Sequence, residues 1–364
     1  MEAQEIFQDI AFVLLYGCVI GISVVAALYL LLRRGNAIAP EITSPVRLRR
    51  WAAAFLVVNA LSHLFWMFYA FHPTPAVYSI VCGLDMLMLF PTIAGILMSM
   101  LQDRHRPVWP VLVALVPALV LVALCVVRGD EVLYLPLSIY AIALYALIIL
   151  FMVFAVRNYG RWLRDNYADL ENKEVWQSLT ILGLFLLFFV LYSSINEGRP
   201  VLVYLLQIGY IIIVALLLWR VETLPQLSES TAPEAEPAEE TQKASAPPAT
   251  PSKMDALLKK HCEDTQLYLQ NDLTLSQLAN AIGTNRTYLS YHFSQLGITY
   301  NVYINGLRVR HFISLYEKAM ADGHGFTAQQ LASESGYRSY STFSTAFKQH
   351  TGKTVTAWMR DSGK

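Results

Sequence analysis

Thr274-Leu275-Ser276-Gln277-Leu278-Ala279, with Gly283 four residues on, recurs as Thr327-Ala328-Gln329-Gln330-Leu331-Ala332, with Gly336 four residues on. Each Thr-x-x-Gln predicts a capping box, in which the hydroxyl and the amide satisfy first-turn backbone groups reciprocally. Each box opens a short helix that ends near its glycine. Beyond the glycines, Leu289 and Phe293 in the first copy match Phe343 and Phe347 in the second. That i, i+4 spacing predicts the buried stripe of a second helix. Gly297-Ile298-Thr299 and Gly352-Lys353-Thr354 close the copies alike. The pattern predicts helix, tight turn, helix, written twice.

Between the copies, residues 300–320 are poor in Pro and Gly, interrupted only by Gly306, and carry Val302, Ile304, Leu307, Phe312, Leu315 and Tyr316. One connecting helix about 30 Å long accounts for them. Successive major grooves on one face of DNA are roughly 34 Å apart. A rigid spacer of that size lets both second helices enter adjacent grooves.

On Leu278-Ala279, Gly283, Tyr288-Leu289, Phe293, Gly297, Leu307-Arg308, Leu331-Ala332, Gly336-Tyr337, Phe343, Phe347-Lys348, Gly352 and Arg360, residues 255–362 resemble the arabinose-regulator (AraC/XylS) family of bacterial transcription factors. The resemblance implies a DNA-binding unit of two helix-turn-helix motifs joined by a long helix. Val355 stands where the family usually has proline, and the second recognition helix lacks the Arg or Gln often presented to bases. The soluble sugar-sensing domain common in the family is absent.

In the first copy the face opposite Leu289 and Phe293 presents Arg286, Thr287, Ser290 and Tyr291. Arg286 can donate two hydrogen bonds to guanine, while Thr287 and Ser290 can take base edges or phosphates. The matching residues of the second copy are Tyr340, Ser341, Thr342 and Thr345, with Lys348 assigned to phosphate. Hydroxyl groups there favour phosphate contacts and register over base choice. Each of these residues also admits a reading as a solvated helix side chain. Arg308 is expected to pack within the domain, and His292 and His350 to sit at the core edge.

Outside this region the composition changes. The 364-residue chain is 55% hydrophobic and 15% charged, with a mean hydropathy of +0.42, which excludes disorder and an ordinary soluble enzyme throughout. Its formal charge of zero averages unlike parts: net +1 over residues 1–221, −5 over 222–252 and +4 over 253–364. A head at +4 is only mildly basic, so DNA affinity is expected to depend on dimerisation or a second partner.

A bilayer core takes about 20 apolar residues as helix. Seven segments qualify: 10–32, 51–71, 77–101, 108–127, 133–156, 175–195 and 201–219. The fourth is short and contains Pro117, leaving six or eight spans open. With the N-terminus outside, the inner loops hold twelve Lys and Arg residues and the outer side only Arg128 and Arg199. Basic loops stay cytoplasmic, and an odd number of spans then puts the C-terminal head in the cytoplasm.

The expected fold is therefore all-α: a seven-span transmembrane domain over 1–221, a disordered acidic Pro/Ala/Glu tether over 222–253, and a cytoplasmic double helix-turn-helix domain over 254–364. Seven spans exceed what anchoring requires. Intramembrane polar residues are costly and mark where to look for sensing. Asn59, His63, Asp85, Tyr140, Tyr204 and Gln207 fall at similar depth in the outer half, with His63 and Asp85 a candidate pair. They suit either a small-molecule site or a hydrogen-bonded core cluster.

No phosphate loop, paired-Cys metal motif, HExxH or nucleophile elbow competes, so neither enzyme activity nor a cofactor or metal is expected. The cysteines suggest no disulfide frame. The reading is a bacterial inner-membrane transcriptional regulator whose partners are double-stranded DNA, the lipid bilayer, a small-molecule or envelope signal, a second copy of the chain, and RNA polymerase if it activates. The alternative is a transporter or intramembrane enzyme with an autoregulatory head.

Overall fold

The computed structural model describes residues 6–33, 35–128, 133–178, 180, 183, 200–227, 251–323 and 325–362. Among them are fourteen α-helices and no β-strand. The chain divides into two compact units, Met1–Arg157 with Val175–Leu227, and Asn158–Glu174 with Ser228–Lys364. Residues 158–174, read from sequence as part of the membrane domain, thus cluster with the head.

In the first unit the helices are α1 (Ile10–Leu32), α2 (Val46–Phe71), α3 (Pro75–Met100), α4 (Trp109–Ala114), α5 (Val116–Arg128), α6 (Tyr134–Asn166, which continues into the second unit) and α7 (Pro200–Thr223). Counting α4 with α5, six helical stretches among the described residues are long and apolar enough to cross a membrane. The expected span 175–195 lies largely outside the described residues. The fourth is interrupted at Leu115, whose amide bonds to Leu112 at 3.2 Å, and the following Pro117 has no amide to restore the ladder. Large apolar side chains face outward, as with Leu147, Leu150 and Phe154 on α6, each about 60% exposed. Water would penalise that surface, whereas hydrocarbon does not.

The helices pack in chain order from α1 to α3, and α7 returns against α1 and α2. Gly95 lets α3 close on α2, because a Cβ there would lie 2.2 Å from the Trp51 ring. At the other end of α7, Glu222 accepts from the Tyr29 hydroxyl and from the amides of Ala37 and Ile38 at 2.8 and 2.7 Å. Gln102 accepts from the Leu227 amide and donates to the Pro225 carbonyl. Residues 222–227, assigned by composition to the tether, are therefore packed. Composition misplaced them because their partners are distant in sequence; residues 228–250 lie outside the described residues.

The second unit begins, after α6 and its loop, with α8 (Pro251–Leu258). It then follows the repeat: α9 (Leu275–Ala281) and α10 (Arg286–Gln295), the connecting helix α11 (Tyr300–Asp322), then α12 (Ala328–Glu334), α13 (Tyr340–Thr351) and α14 (Val355–Ser362). The first capping box forms in full: Thr274 Oγ1 accepts from the Gln277 amide, and Gln277 Oε1 accepts from the Thr274 amide at 2.9 Å. The second forms only one arm. Thr327 Oγ1 accepts from the Gln330 amide at 3.1 Å, but the Gln330 side chain donates to Glu334 one turn on, where the first copy has Ala281. Val355, standing in the family's proline position, opens α14 as its first residue, and Thr354 caps that helix by accepting from the Ala357 amide.

Two cores result. Leu275, Leu278, Leu289, Phe293, Tyr300 and Ile304 build the first; Val309, Phe312, Leu331, Phe343 and Phe347 build the second. The turn glycines adopt positive φ, +74° at Gly283 and +84° at Gly336. At Gly336 a Cβ would also stand 2.7 Å from the Leu269 carbonyl oxygen, while at Gly283 it would meet nothing. Gly283→Ala should therefore destabilise the head by about 1 kcal/mol for the left-handed backbone. Gly336→Ala should lose roughly 2 kcal/mol more, because backbone must move. Opening free energies from hydrogen exchange over 328–351 and 275–295 check this, and equal losses would contradict it.

Candidate nucleic-acid interface

The two recognition helices start from side-chain caps. Asn285 accepts from the Tyr288 amide at 2.9 Å before α10, and Ser339 accepts from the Thr342 amide at 3.3 Å before α13. Leu289 and Phe293, like Phe343 and Phe347, are buried, so the opposite faces point outward. On α10, Thr287 and Tyr291 are exposed and Ser290 is half-buried. On α13, Tyr340, Ser341, Thr345 and Lys348 are exposed and Thr342 is half-buried. The structure thus places the anticipated side chains together on the outer faces of two matched helices. Tyr288, quoted from sequence only for the family resemblance, is also exposed on α10, at 45%.

Arg286 is engaged by the chain itself: its Nε donates to Asn166 Oδ1 at 2.8 Å, and burial pulls its guanidinium below the usual arginine value. Thr342 Oγ1 likewise donates to Glu171 Oε2 at 3.2 Å. Both partners come from the segment 158–174, which the charge pattern marked only as a basic inner loop. Asn301 and Asn305 on α11 were also missed. They are buried, and their side-chain amides donate to the backbone carbonyls of Tyr167 and Ala168. Their i, i+4 spacing on a helix face otherwise in the core was a legible signal.

Arg308 packs inside the domain, 1% exposed, donating to the carbonyls of Tyr268 and Gln270 at 2.7 Å each. His292 is buried with Nε2 3.0 Å from Asp255 Oδ1, whereas His350 is on the exposed side.

In the membrane unit the six expected polar residues do not form one cluster. His63 places Nδ1 2.7 Å from the Asn59 carbonyl and Nε2 3.2 Å from Gln207 Oε1 of α7. Its own carbonyl accepts from the Tyr16 hydroxyl, and Asn59 Nδ2 donates to Ser23 at 3.0 Å. Nδ1 faces a carbonyl and so carries a proton. A neutral imidazole then accepts at Nε2 and needs the Gln207 amide turned to present its NH2, while an imidazolium donates to Oε1.

His63 and Asp85 do not pair, contrary to the matched-depth expectation. Asp85 Oδ2 accepts from the Trp66 indole N–H, on the stripe of α2 that also carries Ser62. Residues 62 and 66 form a different stripe of α2 from 59 and 63, turned by about 100°, so equal depth put the two groups on different helix faces. Tyr140 donates to the Ala114 carbonyl at 2.6 Å, and Tyr204 to Asp9, the cap of α1, each apart from the His63 network.

Residues 278–361 match the family described as helix-turn-helix domain, of AraC type, and the match lies wholly within the second unit. No curated protein matches the chain, and no solved structure does. An AraC-type helix-turn-helix supports a DNA-binding transcription regulator, and the apolar helices suggest a membrane domain fused to it.

Proposed function

We propose that the chain is a membrane-embedded, sequence-specific transcriptional regulator of the bacterial inner membrane, with the N-terminus outside and the helix-turn-helix head in the cytoplasm. The observation that carries the reading is the duplicated helix-turn-helix on α11, whose 23 residues measure roughly 34 Å, comparable to the spacing of successive major grooves. Arg286, Thr287, Ser290 and Tyr291 read or grip the first groove, and Tyr340, Ser341, Thr342, Thr345 and Lys348 fix register in the second. The weakly basic head binds as a homodimer, which supplies the phosphate contacts one copy lacks. If it activates, RNA polymerase is the further partner. The membrane unit receives a small-molecule or envelope signal, and the Asn59, His63 and Gln207 network, closed by three helices around one titratable ring, is the receiving element.

A cytoplasm-dependent reporter is expected to be active when fused after Asp165 or Lys364 and silent after Thr74. A periplasmic C-terminus would end the transcription-factor reading.

For DNA, Arg286→Ala is expected to lower specific binding by roughly 1–3 kcal/mol and relax preference at one base pair, whereas Lys348→Ala weakens all sequences alike. Titration of the full chain in nanodiscs with selected and random duplexes separates the two. Equal losses on both duplexes for Arg286→Ala would refute its assignment.

For sensing, His63→Ala and Gln207→Leu are each expected to hold reporter-gene output at one level across inducing and non-inducing conditions, with membrane abundance unchanged. Full response by both variants would leave the network a purely structural one.

A further inference from the structure

The segment between α6 and residue 175 is built into the head. At its start Asn166 is 2% exposed and accepts from Arg286, the first residue of the first recognition helix. Tyr167 pairs with Thr274 in an isolated antiparallel bridge. The carbonyl of Ala168 accepts from both Asn301 and Asn305, at 2.7 and 3.0 Å, and its methyl group is buried in the first core. Asp169 turns the chain by accepting from the Glu171 amide, and Glu171 then accepts from Thr342, the third residue of the second recognition helix. Lys173 closes the segment 3.4 Å from Asp272.

One stretch of eight residues therefore occupies a named position on both recognition helices at once. Its chemistry is that of the ligand these helices are expected to take. Within 166–173 it carries Asp169 and Glu171 against Lys173, and Asp165 and Glu174 flank it directly. A carboxylate on Thr342 and an amide oxygen on Arg286 stand where a phosphate oxygen and a base or phosphate acceptor would stand.

We propose that residues 166–173 are an autoinhibitory plug, an acidic segment of the chain itself that competes with DNA for the recognition faces. The proposal rests on the DNA-binding reading above and adds its regulation. DNA engages the head only when the plug has left, so the apparent affinity is the intrinsic one reduced by the undocked fraction. The segment is continuous with α6, so a change in that helix reaches the plug through the backbone with no diffusible messenger.

The test uses the full chain in nanodiscs with a mixed-sequence 40-base-pair duplex at low salt, where binding that is independent of sequence is strongest. Hydrogen exchange of the peptide covering 166–173 is expected to accelerate when DNA is added. Asn166→Ala/Glu171→Ala, which removes the segment's contacts to Arg286 and Thr342 without altering either residue, is expected to bind about tenfold tighter. Unchanged or slower exchange of that peptide in the DNA-bound wild type would overturn the plug whatever the variant does, and so would weaker binding by a folded variant. Binding by the variant alone would support it. Absence of binding by every form would overturn the DNA-binding reading itself, and the plug with it.

Discussion

A guanidinium cut off from water organises the head. Arg308 sits midway along α11, where the helix passes from the first core to the second. Its Nε and Nη2 donate to the carbonyls of Tyr268 and Gln270, and its plane lies over the ring of Tyr337, 5.5 Å from the centroid. A buried charge is tolerable only when its donors are satisfied, and these partners come from the chain before the first motif and the turn of the second. The two motifs are consequently tied to one helix and to each other. A lysine could not reproduce the arrangement, having neither the fork for two carbonyls nor the flat face for the ring.

The membrane unit obeys a different constraint with the same logic. Hydrocarbon offers no hydrogen bonds, so each polar side chain within it must find a protein partner. The result is several separate solutions. Asn59, His63 and Gln207 bind one another and Ser23; Asp85 takes Trp66; Tyr140 takes a backbone carbonyl. Of these, the first joins α1, α2 and α7 around a ring whose charge state and the orientation of the Gln207 amide are linked.

Arg286 and Thr342 are held by side chains of their own chain through the same atoms a nucleic-acid contact would use. A residue able to donate to a base edge or a phosphate is equally able to donate to an asparagine or a glutamate of its own chain. Residues 166–173 hold Arg286 and Thr342 through Asn166 and Glu171 of the same chain.

The repeat, the connecting helix and the apolar spans were legible in the sequence because each depends on local periodicity and on the caps within one turn. Thr274 and Gln277, Phe343 and Phe347, and the run from Ile10 to Leu32 identify their own structure. The burial of Arg308 was legible only through the family pattern. What distance in sequence conceals, tertiary structure decided: that residues 222–227 pack, that His63 and Asp85 face different neighbours, and that Asn166 and Glu171 reach Arg286 and Thr342. The physical reason is the same in each case. A polar side chain's partner is set by which helix face meets which. Rotation by one residue changes that face by about 100° while leaving composition, depth and hydropathy untouched.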